Sequence, residues 1–450
     1  MKNSFAIFLA VLSIVSVFSS CSNDDESANS PYAYIKSFGV DDIKSKYPAF
    51  NAEGKDTTVT KTISMKGYPF TINQATGEIY NADSLPYATN LTKIVMNMSV
   101  EGVARMYDDA LGTYEYFKAT DSIDFTSPRK FQITSLDGNY SKYYTVSINA
   151  HKVEPELMVW NNVERLAGVT ALKAIEFNGG MHLFGTTEGK LIVAVAPVTG
   201  DVAWEKYDVT GLPLTANFSA IAEFGGELYA VADGNLYKSS DAMTWSVAAS
   251  GSDLIAVVGA SDSRMWLAGS DALYTTADGV ALEPAGTLPE HFPLYGISTA
   301  SYPLSHNKDI VRYMLVGYDT PAMDGKPYVW SKLSTENGWA KYDNVENPYP
   351  CPALKGLAVM RYGGFLYAIG GSGKVSGADV EAFSSFYISK DNGIVWKAYE
   401  GFYQLLPESL KGYDGKFAAA VDSRNFMWIV TSGEKAVALK GIINRLGFNK

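Results

Sequence analysis

The residue types that usually carry catalysis are sparse in this chain and poorly spaced for it. Its four histidines fall at positions 151, 182, 291 and 306, with no spacing suited to a metal site. Its two cysteines are Cys21 and Cys351, and Cys351 sits between Pro350 and Pro352. A nucleophile elbow, a zinc-binding H-E-x-x-H, a phosphate-binding P-loop and a D-x-D-x-D-G calcium loop are all missing. Cleavage of an acidic glycoside would need arginines gripping a carboxylate, a Tyr nucleophile with an acid partner, and an acid/base Asp. The arginines of the last two thirds are 165, 264, 312, 361, 424 and 445, and Arg264 and Arg424 close Asp-Ser-Arg turns. A copper radical site needs a Cys–Tyr pair and two histidines, and the histidines do not repeat suitably. No catalytic set, metal or cofactor is therefore expected, and an enzyme would have to be assembled from distant loops.

Binding is the better reading. Several segments set aromatic rings beside carboxylates, a combination that suits sugar or peptide recognition by ring stacking and hydrogen bonding. His291 follows Glu290, while Tyr318, Asp319 and Asp324 share one segment. Tyr349 lies in a Pro-rich stretch, and Phe402 and Tyr403 are adjacent. These seven are the candidate ligand-binding residues.

The elements that would position them repeat. Residues 357–399 read as strand, Gly363-Gly364 turn, strand, a polar insertion, and two further strands about the turn 389–393. Four short antiparallel strands in about 45 residues make one propeller blade. The second-strand pattern recurs at 180–185, 226–231, 264–269, 312–317, 364–369 and 425–430. The average spacing of roughly 50 residues is that of kelch-type blades. Six copies predict six blades. Trp204, Trp245, Trp339 and Trp396 each follow two strands after a copy and mark the outer strand; the third blade offers Leu282. The sixth lacks an outer strand of its own. Residues 158–163, just ahead of the first blade, can supply it, with Trp160 as anchor and ring closure as the consequence.

Residues 389–396 resemble an Asp-box, S-x-D-x-G-x-x-W, with Ser389, Asp391, Gly393 and Trp396 at the key positions. Ser239, Asp241 and Trp245 form a shorter copy, and residues 276–279 a worn one. The Asp carboxylate would accept turn N–H groups while the Trp packs beneath. Asp-boxes occur in sialidases and in many non-enzymatic propellers, and here they are read as structural.

The N-terminal third differs. Lys2 and the apolar run 5–18 read as a signal peptide, too short to span a bilayer. The run ends in Ser19-Ser20-Cys21, which resembles a bacterial lipobox with Cys21 as the lipidated residue. The acidic stretch 22–26 resembles the surface-export tag of Bacteroidota lipoproteins. The expected plan is a signal peptide at 1–20, an acidic tether at 21–30, an Ig-like β-sandwich at 31–153 and the propeller at 154–450. Within the sandwich, residues 31–50 read as irregular and 57–65 as a half-buried strand. Hairpins are expected around Gly77 and around Asp137-Gly138. Residues 133–138 with 143–148 resemble the last hairpin of Ig-like repeats in bacterial surface proteins, and 72–86 resembles the hairpin of the N-terminal domain in an uncharacterised Bacteroidota surface lipoprotein family, in which an Ig-like domain precedes a propeller. That resemblance implies architecture and location but no activity.

The formal charge of −11 argues against a nucleic-acid partner. The expected fold is all-β. The expected role is a non-catalytic binding module for glycan or protein, anchored in the outer membrane by lipid and exposed at the cell surface. A divergent sialidase-like enzyme and a structural subunit of an outer-membrane complex are the alternatives.

Overall fold

In the computed structural model, residues 30–50, 56–118, 120–200, 202–342, 346–434 and 436–448 are described. The proposed signal peptide, Cys21 and nearly all of the acidic tether lie outside them. The described chain is all-β, with only short 3-10 turns besides strands. None of its helices is long and apolar enough to cross a membrane. It separates into two compact units at Glu154/Pro155.

The first unit packs two sheets on one core. Tyr34–Val40, Ile94–Glu101 and Ser122–Ile123 form a three-stranded sheet. A six-stranded sheet is built around the antiparallel pair Arg129–Thr134 and Ser141–Ser147. Alternate residues of both sheets, among them Ile35, Ile94, Phe131 and Val146, are buried together. Tyr144 ties the sheets: its hydroxyl accepts from Ile35 N at 3.2 Å and donates to Gln74 Oε1 at 2.6 Å.

Two expectations fail here. Residues 31–50 are not irregular but hold the strands Tyr34–Val40 and Ile43–Phe50. Asp56–Ile63 is not half-buried: it pairs only with Ile43–Phe50 in a two-stranded ribbon, and residues 57–62 are exposed. Its alternation is carried largely by Thr and Lys, which tolerate solvent on both faces.

The second unit is a propeller of antiparallel sheets. Every predicted second-strand copy is a strand with a neighbour on each side, as in Gly180–Thr187, Glu227–Ala232 and Met427–Thr431. These are the most buried strands, because residues on both of their faces meet an adjacent sheet. The 15-residue strand Ser246–Ala260 is shared by the second and third repeats, whose strands therefore run together as one seven-stranded sheet. The polar insertion of the fifth repeat supplies Gly373–Val375 and Ala378–Val380, which form a small sheet with Ala353–Leu354 from the connection ahead of that repeat. Met158–Val163 pairs antiparallel with Ala438–Ile443, so that one four-stranded sheet joins the two ends of this unit.

The tryptophans correct another expectation. Trp204, Trp245, Trp339 and Trp396 do not lie on the outer strands but one residue ahead of them. From there each ring reaches the preceding sheet. Trp245 meets Phe184 at 6.0 Å and Trp339 meets Trp266 at 6.3 Å. Trp204 meets Trp428 at 5.9 Å, joining the first repeat to the last. Trp160 covers Gly441, where an added Cβ would stand 2.4 Å from the indole, and its Nε1 donates to Leu405 O at 2.8 Å.

Three turns, those at Asp241, Asp278 and Asp391, share one bonding scheme, and two of them precede a tryptophan, Trp245 and Trp396. Asp241 Oδ1 accepts from Met243 N and Thr244 N, each at 2.8 Å. Asp278 Oδ1 accepts from Val280 N at 2.9 Å and Ala281 N at 2.8 Å. Asp391 Oδ1 accepts from Ser389 Oγ at 2.7 Å and Val395 N at 2.9 Å, while Trp396 Nε1 donates to Gly393 O at 2.9 Å. Backbone N–H groups hold the carboxyls of Asp241 and Asp278 below the usual carboxylate range.

Candidate functional site

The first strands of four repeats converge on one cavity. Thr170–Phe177, Tyr295–Pro303, Ala358–Tyr362 and Phe417–Val421 contribute to the wall of a cavity of about 640 Å³. Its rim comes from the connections entering those strands, at Lys355 and Asp414, and from Ala322 and Met323 of the loop after Tyr318. A second cavity of about 470 Å³ adjoins it, sharing Leu172, Ser219, Gly296 and Met323. In antiparallel four-stranded sheets these loops all emerge at the end opposite the Asp241, Asp278 and Asp391 turns. The first strands bulge near this mouth: pairing slips between Ala171 and Lys173, and again between Tyr295 and Ser298. A bulge turns one extra residue out of the ladder and re-aims its neighbours.

The charges at the mouth are mostly positive. Lys173 Nζ donates to Ser219 O at 2.8 Å. Part of its side chain keeps channel solvent, but burial of the amine pushes its pKa down to about 8. Lys355 Nζ lies 2.9 Å from Asp414 Oδ2. Asp414 Oδ1 accepts from Ser372 N at 2.8 Å and Ser372 Oγ at 3.0 Å. The Lys355 hydrogen bond, followed by the Ser372 N–H, holds the Asp414 carboxyl below its ordinary value. Lys416 completes the charged rim. Ser219 Oγ donates to Asn217 Oδ1 at 2.8 Å and accepts from Ile297 N at 3.0 Å, which fixes the wall around Lys173.

The structure brings some of the sequence candidates together and separates others. His291 Nδ1 and Asp319 Oδ2 are 2.7 Å apart, and the imidazole stacks on Tyr328 at 4.8 Å. Neither His291 nor Asp319 lines the two cavities; they sit on neighbouring loops, with Asp324 exposed nearby. Tyr318 does line the larger cavity, but as wall. It is only 4% exposed, its hydroxyl donates to Leu354 O at 3.3 Å, and burial pushes the phenol up to about 12. Tyr349 is elsewhere: its carbonyl accepts from Trp396 N at 2.9 Å, beside the Asp391 turn. Phe402 and Tyr403 are elsewhere too, since Tyr403 O accepts from Met158 N at 2.8 Å on the outermost strand.

The arginines form no cluster in the cavity wall. Arg312 bonds Ser331 Oγ and Tyr342 OH at 3.0 and 3.1 Å, Arg361 lies 3.8 Å over Tyr302, and Arg445 pairs with Glu156 at 2.6 Å. Among the described residues no group of His, Cys, Asp and Glu could hold a metal ion.

Sequence reasoning missed Lys173, Lys355, Asp414 and Lys416. A signal was present. Lys173 interrupts an apolar first strand, and Lys355-Gly356 and Asp414-Gly415-Lys416 each stand just ahead of one.

Two family descriptions match this chain. The DUF6242 beta propeller domain covers residues 154–450, and the N-terminal domain of DUF6242, a domain of unknown function, covers 38–148. Solved structures similar to the chain include an auxiliary nutrient binding protein from Bacteroides ovatus, at 9% identity and TM-score 0.41, covering 71% of this chain and 84% of that one. A streptogramin B lyase is similar at 12% identity and TM-score 0.35, covering 69% and 86%. A gluconolactonase from Xanthomonas campestris follows at 12% and 0.34, covering 64% and 90%. These neighbours include both binding proteins and enzymes. No curated protein matches the chain.

Proposed function

The chain belongs to the DUF6242 family, and from that footing we propose that it is a lipid-anchored surface protein whose propeller binds a glycan or protein ligand at the mouth of its axial channel. The observation that carries this reading is the cavity of about 640 Å³ where the first strands converge. Its volume is in the range that small ligands fill, roughly 300–1,000 Å³. Apolar wall from Leu357, Ile297 and Phe417 alternates there with fixed polar groups.

The propeller is read as a six-bladed ring with kelch-like spacing and Asp-box turns, closed by Met158–Val163. The cluster joining Leu183 and Ile192 of the first sheet to Trp428 and Val430 of the last supports closure. The N-terminal unit is read as Ig-like, on the strength of its two sheets around a single core.

Glycoside hydrolysis is the weaker reading. Two carboxylates would be required, and Asp414 is the larger cavity's carboxylate among the described residues, already engaged by Lys355 and Ser372. A role as a subunit of an envelope complex would show itself as fixed partners on purification.

Cys21 is read as the lipid attachment site, placing the protein on the outer membrane. Incorporation of a palmitate analogue that is lost in Cys21→Ser, together with protease accessibility on intact cells, tests the anchor and its orientation. A glycan array and a pull-down with the full chain test binding; loss of any signal when bulk is introduced at Ala358, on the cavity wall, is the expected result. Signal unaffected by that change would place the binding surface elsewhere.

A further inference from the structure

Resting on the reading that the channel mouth binds a ligand, we propose that this ligand is a small anionic saccharide, held through its carboxylate or sulfate by Lys173 with help from Lys355 and Lys416. The larger cavity is lined by three lysines, 173, 355 and 416, and one carboxylate, Asp414, so its wall carries three positive charges against one negative, a balance of +2. The chain as a whole carries −11. A concave positive spot on an acidic protein focuses the field on itself and draws in anions.

Lys173 is the centre of this arrangement. The same cavity wall carries Asp414 and Lys416 from the strand entry of the last repeat and Lys355 from that of the fifth. Among the described residues its ammonium donates to a neutral carbonyl, Ser219 O. An ammonium removed from bulk water without an anionic partner costs free energy, and an incoming anion supplies the missing partner. The cavity's carboxylate, Asp414, is engaged by Lys355 and Ser372 instead. The bulge between Ala171 and Lys173 presents this residue at the mouth.

The cavity volume and the apolar faces of Leu357 and Phe417 suit one or two sugar rings. A folded protein partner could insert no more than a side chain.

Calorimetric titration of the full chain in detergent provides the test. The probes are glucuronate and N-acetylneuraminate as carboxylated sugars, N-acetylglucosamine 6-sulfate as a sulfated one, glucose as a neutral one, and inorganic sulfate. Acidic sugars are expected to bind, and glucose about tenfold more weakly or not at all. Which acidic probe binds tighter separates carboxylate from sulfate recognition. Lys173→Met keeps the side chain's length and is expected to weaken the acidic probe about tenfold or more, the cost of one charge-assisted hydrogen bond. Asp414→Asn keeps an acceptor for Ser372 while releasing Lys355, and is expected to tighten binding several-fold. Equal binding of glucose and glucuronate, unaltered by Lys173→Met, overturns the anionic assignment and leaves the channel as a binding site. Binding of inorganic sulfate with no acidic sugar bound overturns the saccharide. Failure of every probe, together with an empty glycan array, overturns both readings.

Discussion

Lys173→Met should change how the propeller's stability depends on pH, and the sign is fixed by where the amine titrates. In the unfolded chain a lysine amine titrates near its ordinary 10.5; in the channel wall, burial brings it down to about 8. Below about pH 8 the amine is protonated in both states, and the wild type bears the whole cost of holding a desolvated ammonium. Between about 8 and 10.5 the unfolded chain keeps a proton that the folded chain has released, so wild-type stability rises with pH there. At about 1.4 kcal/mol per tenfold, the displacement corresponds to about 3 kcal/mol for a fully buried group. Lys173 retains channel solvent, which screens this to about 1–2 kcal/mol. The variant also strips Ser219 O of its donor, a loss of about 1 kcal/mol that does not vary with pH. Lys173→Met is thus expected to be level with or slightly more stable than wild type at pH 7, and to fall behind by about 1–2 kcal/mol in relative terms by pH 10. Urea unfolding followed by tryptophan fluorescence reads this directly, because all eight tryptophans lie between residues 160 and 428, within the propeller. A wild-type-to-variant difference that stays constant from pH 7 to 10 would refute the reasoning, since it would mean that the amine is solvated like any surface lysine.

Three further outcomes are expected. Gly441→Ala sets a Cβ 2.4 Å from the Trp160 ring, so the indole must leave the sheet that joins the two ends of the propeller; a loss of about 1–3 kcal/mol in urea unfolding is expected, with a red-shifted emission. Asp241→Ala removes the acceptor for two turn N–H groups and should cost about 1–2 kcal/mol at neutral pH. Because this carboxyl titrates below 3.8 when folded, that difference should hold above pH 4 and close as the solution is acidified below it, while sugar binding at neutral pH stays unchanged. Cys351 is buried and unpaired, with its thiol pushed up by burial, so in a Cys21→Ser chain Ellman's reagent should titrate no thiol until the propeller is unfolded.

The propeller was legible because its second strands are buried on both faces. Such strands must be nearly continuous apolar runs, and Leu228-Tyr229-Ala230-Val231 or Leu366-Tyr367-Ala368-Ile369 can be little else when a glycine turn precedes them. The inner and outer strands are less readable. One face of Thr170–Phe177 meets the channel, and Glu205–Asp208 is exposed throughout, so neither needs a fixed pattern. In the N-terminal unit, Ile43–Phe50 read as irregular because its polar residues and Pro48 suit a solvated ribbon as well as a loop. The candidate site suffered from a related limit. Exposed aromatics were sought in long loops, yet Tyr349 packs its loop on the Asp391 turn and Tyr403 serves the outermost strand. The residues that do converge, 173, 355 and 416, are separated by far more sequence than any motif spans. Only the circular arrangement of the sheets brings them together.

The same arrangement divides the work between the two ends of each sheet. At one end the Asp241, Asp278 and Asp391 carboxylates satisfy their own turns, and rings such as Trp245 and Trp396 are driven into neighbouring sheets. Polar groups there are saturated and offer little to a ligand. At the other end the ladder slips at Ala171/Lys173 and Tyr295/Ser298, glycines enter the strands, and Lys173 faces a carbonyl in place of a counter-ion. Local rules of pairing and charge neutralisation are kept at the first end and broken at the second, within the same propeller. A sequence under pressure only to close a ring would have no reason to bury an amine there, where methionine or leucine would pack at lower cost. The asymmetry is physical ground for placing recognition at the channel mouth, and it ties the stability of Lys173→Met and its affinity for an acidic sugar to the same amine.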